Sequence, residues 1–299
     1  MFSIDPKLLF ALQAVITEQS FERAANRLNI TQSAISQRIK QLEQLVAQPV
    51  LVRNVPIVAT PMGEKLLRYA KELAQVNNRL HAEIFPNEQQ QPTKLAIGLN
   101  ADTLASWFIP AIAPLLETKN IELDLHVSNE ATTQKLLTKG EVFAALSSQD
   151  RSVAGCKTQY IGELQYVLCA SPQFVKKYFT NGITKSALTN APAVDFDAND
   201  NMHRQYIMER FGLATGDYPC HRVRSSEAFV NLAVAGLVYT LLPMTQAKQH
   251  LDNRRLINIA PKEPLTQHLY WHSWVLEKGV FKQVSEHVVD YAKKLLASY

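Results

Sequence analysis

Side chains able to read a nucleic-acid duplex cluster near the start of the chain. Thr31-Gln32-Ser33-Ala34-Ile35-Ser36-Gln37-Arg38-Ile39-Lys40-Gln41-Leu42-Glu43 carries Ile35, Ile39 and Leu42 on one helical stripe. That leaves Gln32, Ser33, Ser36, Gln37 and Lys40 facing outward. Short hydroxyl and carboxamide side chains on an exposed helix start reach base edges in a major groove, and Gln pairs with adenine through two hydrogen bonds. Arg53 follows where the wing of a β-hairpin would bring it to backbone phosphates. The same spacing also describes an ordinary three-helix bundle with a solvated polar face, so the pattern alone leaves both readings open.

Catalytic chemistry finds no such cluster. His203 and His221 can be drawn with scattered Ser and Asp residues as a triad, yet no G-x-S-x-G elbow or H-E-x-x-H pair accompanies them. Gly-rich nucleotide loops are also lacking, so neither an enzyme nor a cofactor is expected. Cys156, Cys169 and Cys220 are an odd number without a C-x-x-C pair, which argues against a disulfide framework or a metal site and for small buried side chains in a reducing cytosol. Trp107, in an apolar helical run, reads as core, whereas Trp271 fits either packing or a binding role.

The elements that must position these residues follow from caps and periodicity. Asp5-Pro6 opens a helix with Leu8, Leu9, Leu12, Val15 and Ile16 on one stripe; Ser20 caps a second, with Phe21, Ala24, Ala25 and Leu28 inward; Thr31 caps the third. Two short extended runs, Val50–Arg53 and Asn54–Val58, form a turn-linked pair. From Pro61 to about Phe85 a helix carries Leu66, Leu67, Ala70, Leu73, Ala74, Asn77 and Leu80 at 3- and 4-residue steps, a narrow seam suited to dimerisation. Polar residues 87–92 make a linker. Beyond Lys94 strands and helices alternate, ending in a helix over Val280–Leu296, which reads as parallel sheets covered by helices on both faces.

The chain has 299 residues, enough for two or three domains. Its net charge of +4 is too small to prove a nucleic-acid partner, although residues 1–94 hold 11 basic and 8 acidic side chains. The start lacks a cationic leader before an apolar core, and the longest apolar run, Leu232 to Met244, is 13 residues and contains Gly236 and Pro243. Spanning a bilayer needs about 20. A soluble, cytoplasmic protein without membrane contact is therefore expected.

With these motifs in place, the stretch from Ser20 to Glu43, followed by Val50-Leu51-Val52-Arg53 and Thr60-Pro61-Met62-Gly63-Glu64, resembles the winged helix-turn-helix of the LysR-type transcriptional regulators. Asn100-Ala101-Asp102, Pro219-Cys220-His221, Ser225-Ser226-Glu227-Ala228-Phe229 and Leu269-Tyr270-Trp271-His272 are similar to a branch of that family that answers to arginine and lysine. The resemblance implies an α/β protein: a winged helix-turn-helix over residues 1–60, a linker helix and linker over 61–92, and an effector domain over 93–299. That domain is two-lobed, Rossmann-like and similar to periplasmic binding proteins, with lobe one at 93–162 and 267–299 and lobe two at 163–266.

The family often carries Ser-Arg-Gln where this chain has Ser36-Gln37-Arg38, which assigns Gln37 to an A·T pair and Arg38 to a phosphate. Phe143 stands where the family usually has an acid. An effector cleft would lie at strand carboxyl ends, between Asn100, Asp102 and Thr103, Ser147 and Gln149, Asp195 and Asp197, and Ser226 and Glu227. Amides near Thr103 with Ser147 and Ser226 would take the α-carboxylate of lysine or arginine, and the four acids its cationic groups. The implied partners are an operator in double-stranded DNA, RNA polymerase and a second copy in a dimer or tetramer. A bare solute-binding protein would lack the first domain; an architectural or replication-origin DNA binder with weak sequence preference is the alternative function.

Overall fold

A computed structural model of the chain describes residues 4–53, 56–84, 92–128, 130–151, 155–197, 201–275 and 277–298. It divides into two units, one running to Thr93 and taking in Lys135–Phe143, the other made of Lys94–Gln134 and Ala144 onward.

In the first unit α1 (Pro6–Glu18), α2 (Phe21–Arg27) and α3 (Gln32–Val46) each start at a side-chain cap. Asp5 accepts from the Lys7 amide, Ser20 from Arg23 and Thr31 from Ala34, so each helix satisfies an otherwise orphaned N–H. Asn29 between α2 and α3 adopts a left-handed φ of 52°, which turns the chain in a few residues. β1 (Leu51–Val52) pairs antiparallel with β2 (Val58–Ala59) as the wing; of the expected second run, Asn54–Val58, only Val58 is in the strand, and Asn54 and Val55 lie outside the described residues. α4 (Pro61–Ile84) begins against this hairpin at Gly63, where a Cβ would lie 2.1 Å from the Val50 carbonyl oxygen. Leu12, Val15, Ile35, Ile39, Leu42, Val50, Leu66, Leu67 and Ala70 share one core. Each such aliphatic side chain contributes roughly 1.5–3 kcal/mol relative to exposure. The α4 seam thus differs from the expected one: Leu66, Leu67 and Ala70 are consumed by their own bundle, while Tyr69, Val76, Leu80 and Ile84 are exposed. The expected linker falls outside the described residues up to Gln91.

The second unit starts with β3 (Thr93–Leu99) and a continuous helical run of α5 (Ala101–Thr103), a π-helical turn over Leu104–Phe108 and α6 (Ile109–Thr118). Pro110 has no N–H to donate to the preceding turn, which accounts for the wider turn there. β4 (Ile121–Val127), α7 (Glu130–Thr138), β5 (Ala144–Ser147), β6 (Cys156–Ala170), α8 (Pro172–Tyr178), α9 (Lys185–Leu188), β7 (Ala193–Asp195) and α10 (Met202–Phe211) follow. Then come β8 (Cys220–Arg222), α11 (Ser226–Val234), β9 (Thr240–Pro243), α12 (Met244–Asp252), β10 (Ile257–Asn258), β11 (Leu265–Trp274) and α13 (Val280–Leu296).

One sheet runs β10-β6-β11-β5-β3-β4 with β9 also on β6, and β7 pairs in parallel with β8. Parallel pairing holds for β3 with β5, but β6 and β11 are long antiparallel strands that run through the unit. This departs from the parallel sheets that strand–helix alternation suggested, and β6 extends well beyond its apolar end at Tyr166–Ala170. The extra residues of β6, such as Lys157, Gln159 and Glu163, are polar and exposed, so no apolar run announced them. Gly162 makes the crossing feasible: its φ is 138°, a Cβ would come within 2.8 Å of Leu296, and the register slips opposite it at Leu269/Tyr270. α12 was not foreseen because Ala247 is the one fully buried residue of its helix.

Trp107 and Trp271 are both core residues, Trp271 donating from Nε1 to Ser285 at 3.0 Å. Phe143 is buried, as a side chain without charge can be. Cys156 and Cys169 are buried as expected, whereas Cys220 is exposed on an edge strand, against expectation. His203 is enclosed with His221 exposed on β8, so the two do not form a reactive pair. Among the described residues no helix is long and apolar enough to cross a membrane.

Candidate functional site

On α3, Ile35, Ile39 and Leu42 are inward, and this one commitment turns Gln32, Ser33, Ser36, Gln37 and Lys40 to solvent. Gln32, Ser36, Gln37 and Lys40 make no hydrogen bond or ion pair with other described residues, while Ser33 shares a 2.9 Å hydrogen bond with the capping hydroxyl of Thr31. Arg38 is half-buried on the flank of this face. Arg53, on the wing, is exposed but guided: its guanidinium lies 3.6 Å from Glu43 and over the Phe21 ring at 5.7 Å. Glu43 also accepts from the Val50 amide at 3.1 Å, so one acid ties the end of α3 to the wing. The arrangement offers a duplex a row of free carboxamides and hydroxyls flanked by cations.

In the second unit the parallel register Gly98↔Ala145, followed two residues on, leaves Asn100 and Ser147 at the carboxyl ends of β3 and β5. Asn100 caps the following helix, its carboxamide oxygen accepting from the Thr103 amide at 2.9 Å. That cap sets Asp102 in the first turn. The Asp102 carboxylate accepts from the Tyr166 hydroxyl at 2.8 Å and from the Ser226 hydroxyl at 2.5 Å. Ser226 also lies 3.0 Å from the Gln246 carboxamide. Of the predicted effector residues, the structure therefore joins Asn100, Asp102, Thr103 and Ser226. Ser147 is buried and accepts from the Gln149 amide at 3.1 Å. An open depression of about 410 Å³ beside it is lined by Ser148, Gln149, Asp150, Arg151 and Tyr270.

The remaining acids are employed differently. Asp195 is buried and held by Arg204, at 2.6 Å from Nη2, and by Arg222 at 3.4 Å. Its charge is already matched, and a ligand cation would have to displace an arginine. Asp197 accepts from Arg204 through its backbone carbonyl and lies 3.9 Å from Arg224. Glu227 is exposed and accepts from the Ser225 hydroxyl at 3.1 Å, as a helix-start acid does. The geometry thus shows Asp195 matched by two arginines and Asp197 and Glu227 in local contacts. Tyr166 and Gln246 were not singled out in the sequence; a polar tip within the apolar run Tyr166–Ala170 was the available signal for the first, and nothing marked the second.

Two family models cover the chain: a bacterial regulatory helix-turn-helix protein of the lysR family over residues 6–64 and a LysR substrate binding domain over residues 88–275. The chain belongs to the LysR family of transcriptional regulators. Among curated relatives of this family, the HTH-type transcriptional regulator ArgP of Aeromonas salmonicida is 49% identical over 99% of both chains. ArgP of Photobacterium profundum is 45% identical over the same shares. Among solved LysR-family structures, ArgP from Mycobacterium tuberculosis superposes with a TM-score of 0.88 at 31% identity, over 97% of this chain and 98% of that one. Full-length LysG from Corynebacterium glutamicum with bound effector Arg gives 0.85 at 30% identity, over 97% and 99%. The winged helix-turn-helix and effector-domain fold expected from sequence is thus the observed one. As a LysR-type regulator the chain is a DNA-binding protein of a non-enzymatic family with a small-molecule domain.

Proposed function

We propose that this LysR-type regulator is a cytoplasmic homodimer or tetramer that reads a partly palindromic operator and answers to lysine or arginine, controlling genes for basic amino-acid export and biosynthesis. Gln37 reads an A·T pair, Gln32, Ser33, Ser36 and Lys40 support it, and Arg38 and Arg53 take phosphates. Effector occupancy alters how the DNA-reading heads are presented, and with it the progress of RNA polymerase. The effector is the one ligand required, with no separate cofactor.

One observation carries the effector class: the carboxylate of Asp102 stands where two parallel strands end, in a fold whose LysG neighbour holds arginine. Strand ends of such sheets are where ligands bind, and a carboxylate suits an ammonium or guanidinium group. The exposed stripe Tyr69, Val76, Leu80 and Ile84 on α4 supports self-association.

Calorimetric titration of the full-length chain with lysine, arginine and citrulline tests the effector. Sub-millimolar binding of at least one basic amino acid and none of citrulline is expected; no heat from either at millimolar concentration overturns the reading. For the DNA face, Gln37→Ala should lower operator affinity 5- to 100-fold, about 1–3 kcal/mol, with little change on random duplex at the same salt. Equal losses on both would refute base reading.

A further inference from the structure

The Asp102 carboxylate is occupied by groups from the other half of its unit. Asp102 follows β3, whereas the donors Tyr166 and Ser226 come from the far end of β6 and from the first residue of α11. Ser226 has a single hydroxyl hydrogen and two acceptors drawn around it, the Asp102 carboxylate and the Gln246 carboxamide oxygen. The hydrogen goes to the charged acceptor, since such bonds are the stronger. The Gln246 carboxamide then presents its NH2 end to the Ser226 oxygen, a rotation that interchanges two atoms of nearly identical shape. The result is a directed relay from Gln246 through Ser226 to Asp102 that joins α12, α11 and the turn after β3. Among the described residues the hydroxyls of Thr103, next in sequence to Asp102, and of Thr245, next to Gln246, find no partner.

We infer that Asp102, Tyr166 and Ser226 form a latch between the two halves of the effector unit, and that a cationic ligand group releases it by taking the Asp102 carboxylate from Ser226. The inference rests on the effector reading above for the identity of the cation, though not for the latch itself. A ligand ammonium or guanidinium brings a full charge to the carboxylate and displaces a neutral donor. Ser226 is then released toward Gln246, and the start of α11 is free to move relative to α5. Ligand binding and rearrangement are thereby the same event, as a population shift between two states requires.

The two roles open to Ser226 predict opposite signs. If the hydroxyl competes with the ligand, Ser226→Ala strips the empty state of a bond and raises affinity for arginine or lysine, by about fivefold or more. If the hydroxyl is simply a ligand contact, the same substitution weakens binding. Hydrogen exchange of the ligand-free full-length protein reads the latch without any effector: Ser226→Ala should speed exchange of amides in 101–108 and 226–230 and leave those of α1–α3 unchanged. Unaltered exchange there, or arginine affinity that is unchanged or lower in Ser226→Ala, overturns the latch. Faster exchange in a protein that binds neither lysine nor arginine would retain the latch and refute the effector class. Asp102→Asn, which keeps the shape and loses the charge, should cost arginine at least tenfold in affinity and remove its advantage over citrulline; an undiminished preference for arginine also overturns the proposal.

Discussion

Residue by residue, the molecule separates polar groups that are free to act from those already satisfied. Gln37 and Lys40 are free because the core takes the other side of α3; Asp195 is not, because two arginines reached it first. His203 is enclosed between the rings of Tyr218 and Tyr239 at 6.1 and 5.6 Å, and neither ring nitrogen is bonded among the described residues. Burial holds its pKa at about 4, below the ordinary 6.5. Between those values the unfolded chain binds a proton that the folded chain refuses, so stability is full above about pH 6.5 and falls as pH drops toward 4. The loss approaches about 3 kcal/mol for this one group. His203→Phe keeps the ring and removes the titration; urea unfolding at pH 7 and pH 5 should then show a smaller acid penalty than in the parent chain. An identical penalty would place the acid sensitivity elsewhere, His272 being the next group, since burial lowers its pKa despite the bond from its ring to the Gln149 carbonyl.

Elements are positioned by a few close approaches rather than by propensity. At Gly63, α4 meets the backbone of Val50, and the Thr60 hydroxyl bridges the same place by donating to the Pro49 carbonyl and accepting from the Gly63 amide. Nothing there is a flexible side chain that can step aside. Gly63→Ala is expected to destabilise the DNA-reading unit by about 3 kcal/mol, seen as a lower thermal midpoint and as weaker DNA binding by the fraction unfolded. An unchanged midpoint would show that the hairpin gives way. At the other end of the chain, Ser285 on α13 accepts from Trp271 and donates to the buried Glu277 carboxylate at 2.7 Å, and Glu277 also pairs with Lys157 of β6. Ser285→Ala leaves an indole N–H and a carboxylate each short of a partner, a loss of about 2 kcal/mol measurable by denaturant titration. A shift below 0.5 kcal/mol would mean that water replaces the hydroxyl.

For the whole molecule, the α4 stripe is an apolar surface that a single chain leaves exposed. Tyr69, Val76, Leu80 and Ile84 fall at steps of seven, four and four residues, on one face of the helix, and are each about half exposed. If the proposed self-association uses this stripe, Val76→Lys with Leu80→Lys should lower the mass read by light scattering to that of a monomer and reduce palindromic-operator affinity more than half-site affinity. A variant that keeps the parent mass would move the interface elsewhere. The coupling of the latch to DNA binding belongs to this scale as well. Arginine or lysine should alter the operator footprint of the parent chain and leave that of Asp102→Asn unchanged.

Much of the DNA-reading unit was legible in the amino-acid order alone. Caps, periodicity and the short break at Asn29 are local, and local rules decide a small helical bundle, so Asp5, Ser20, Thr31 and the outward face of α3 could be named from spacing. The effector unit is different. Its central strands β6 and β11 pair residues more than a hundred positions apart, such as Lys157 with Ser273, and half of β6 is polar, so its length carried no periodic mark. Four acids of similar appearance in the sequence then acquired different fates: Asp102 met hydroxyls, Asp195 met arginines, Asp197 met an arginine more loosely and Glu227 met a helix start. What a carboxylate does is set by which charges and donors come within a few ångströms, and only tertiary folding decides that distance.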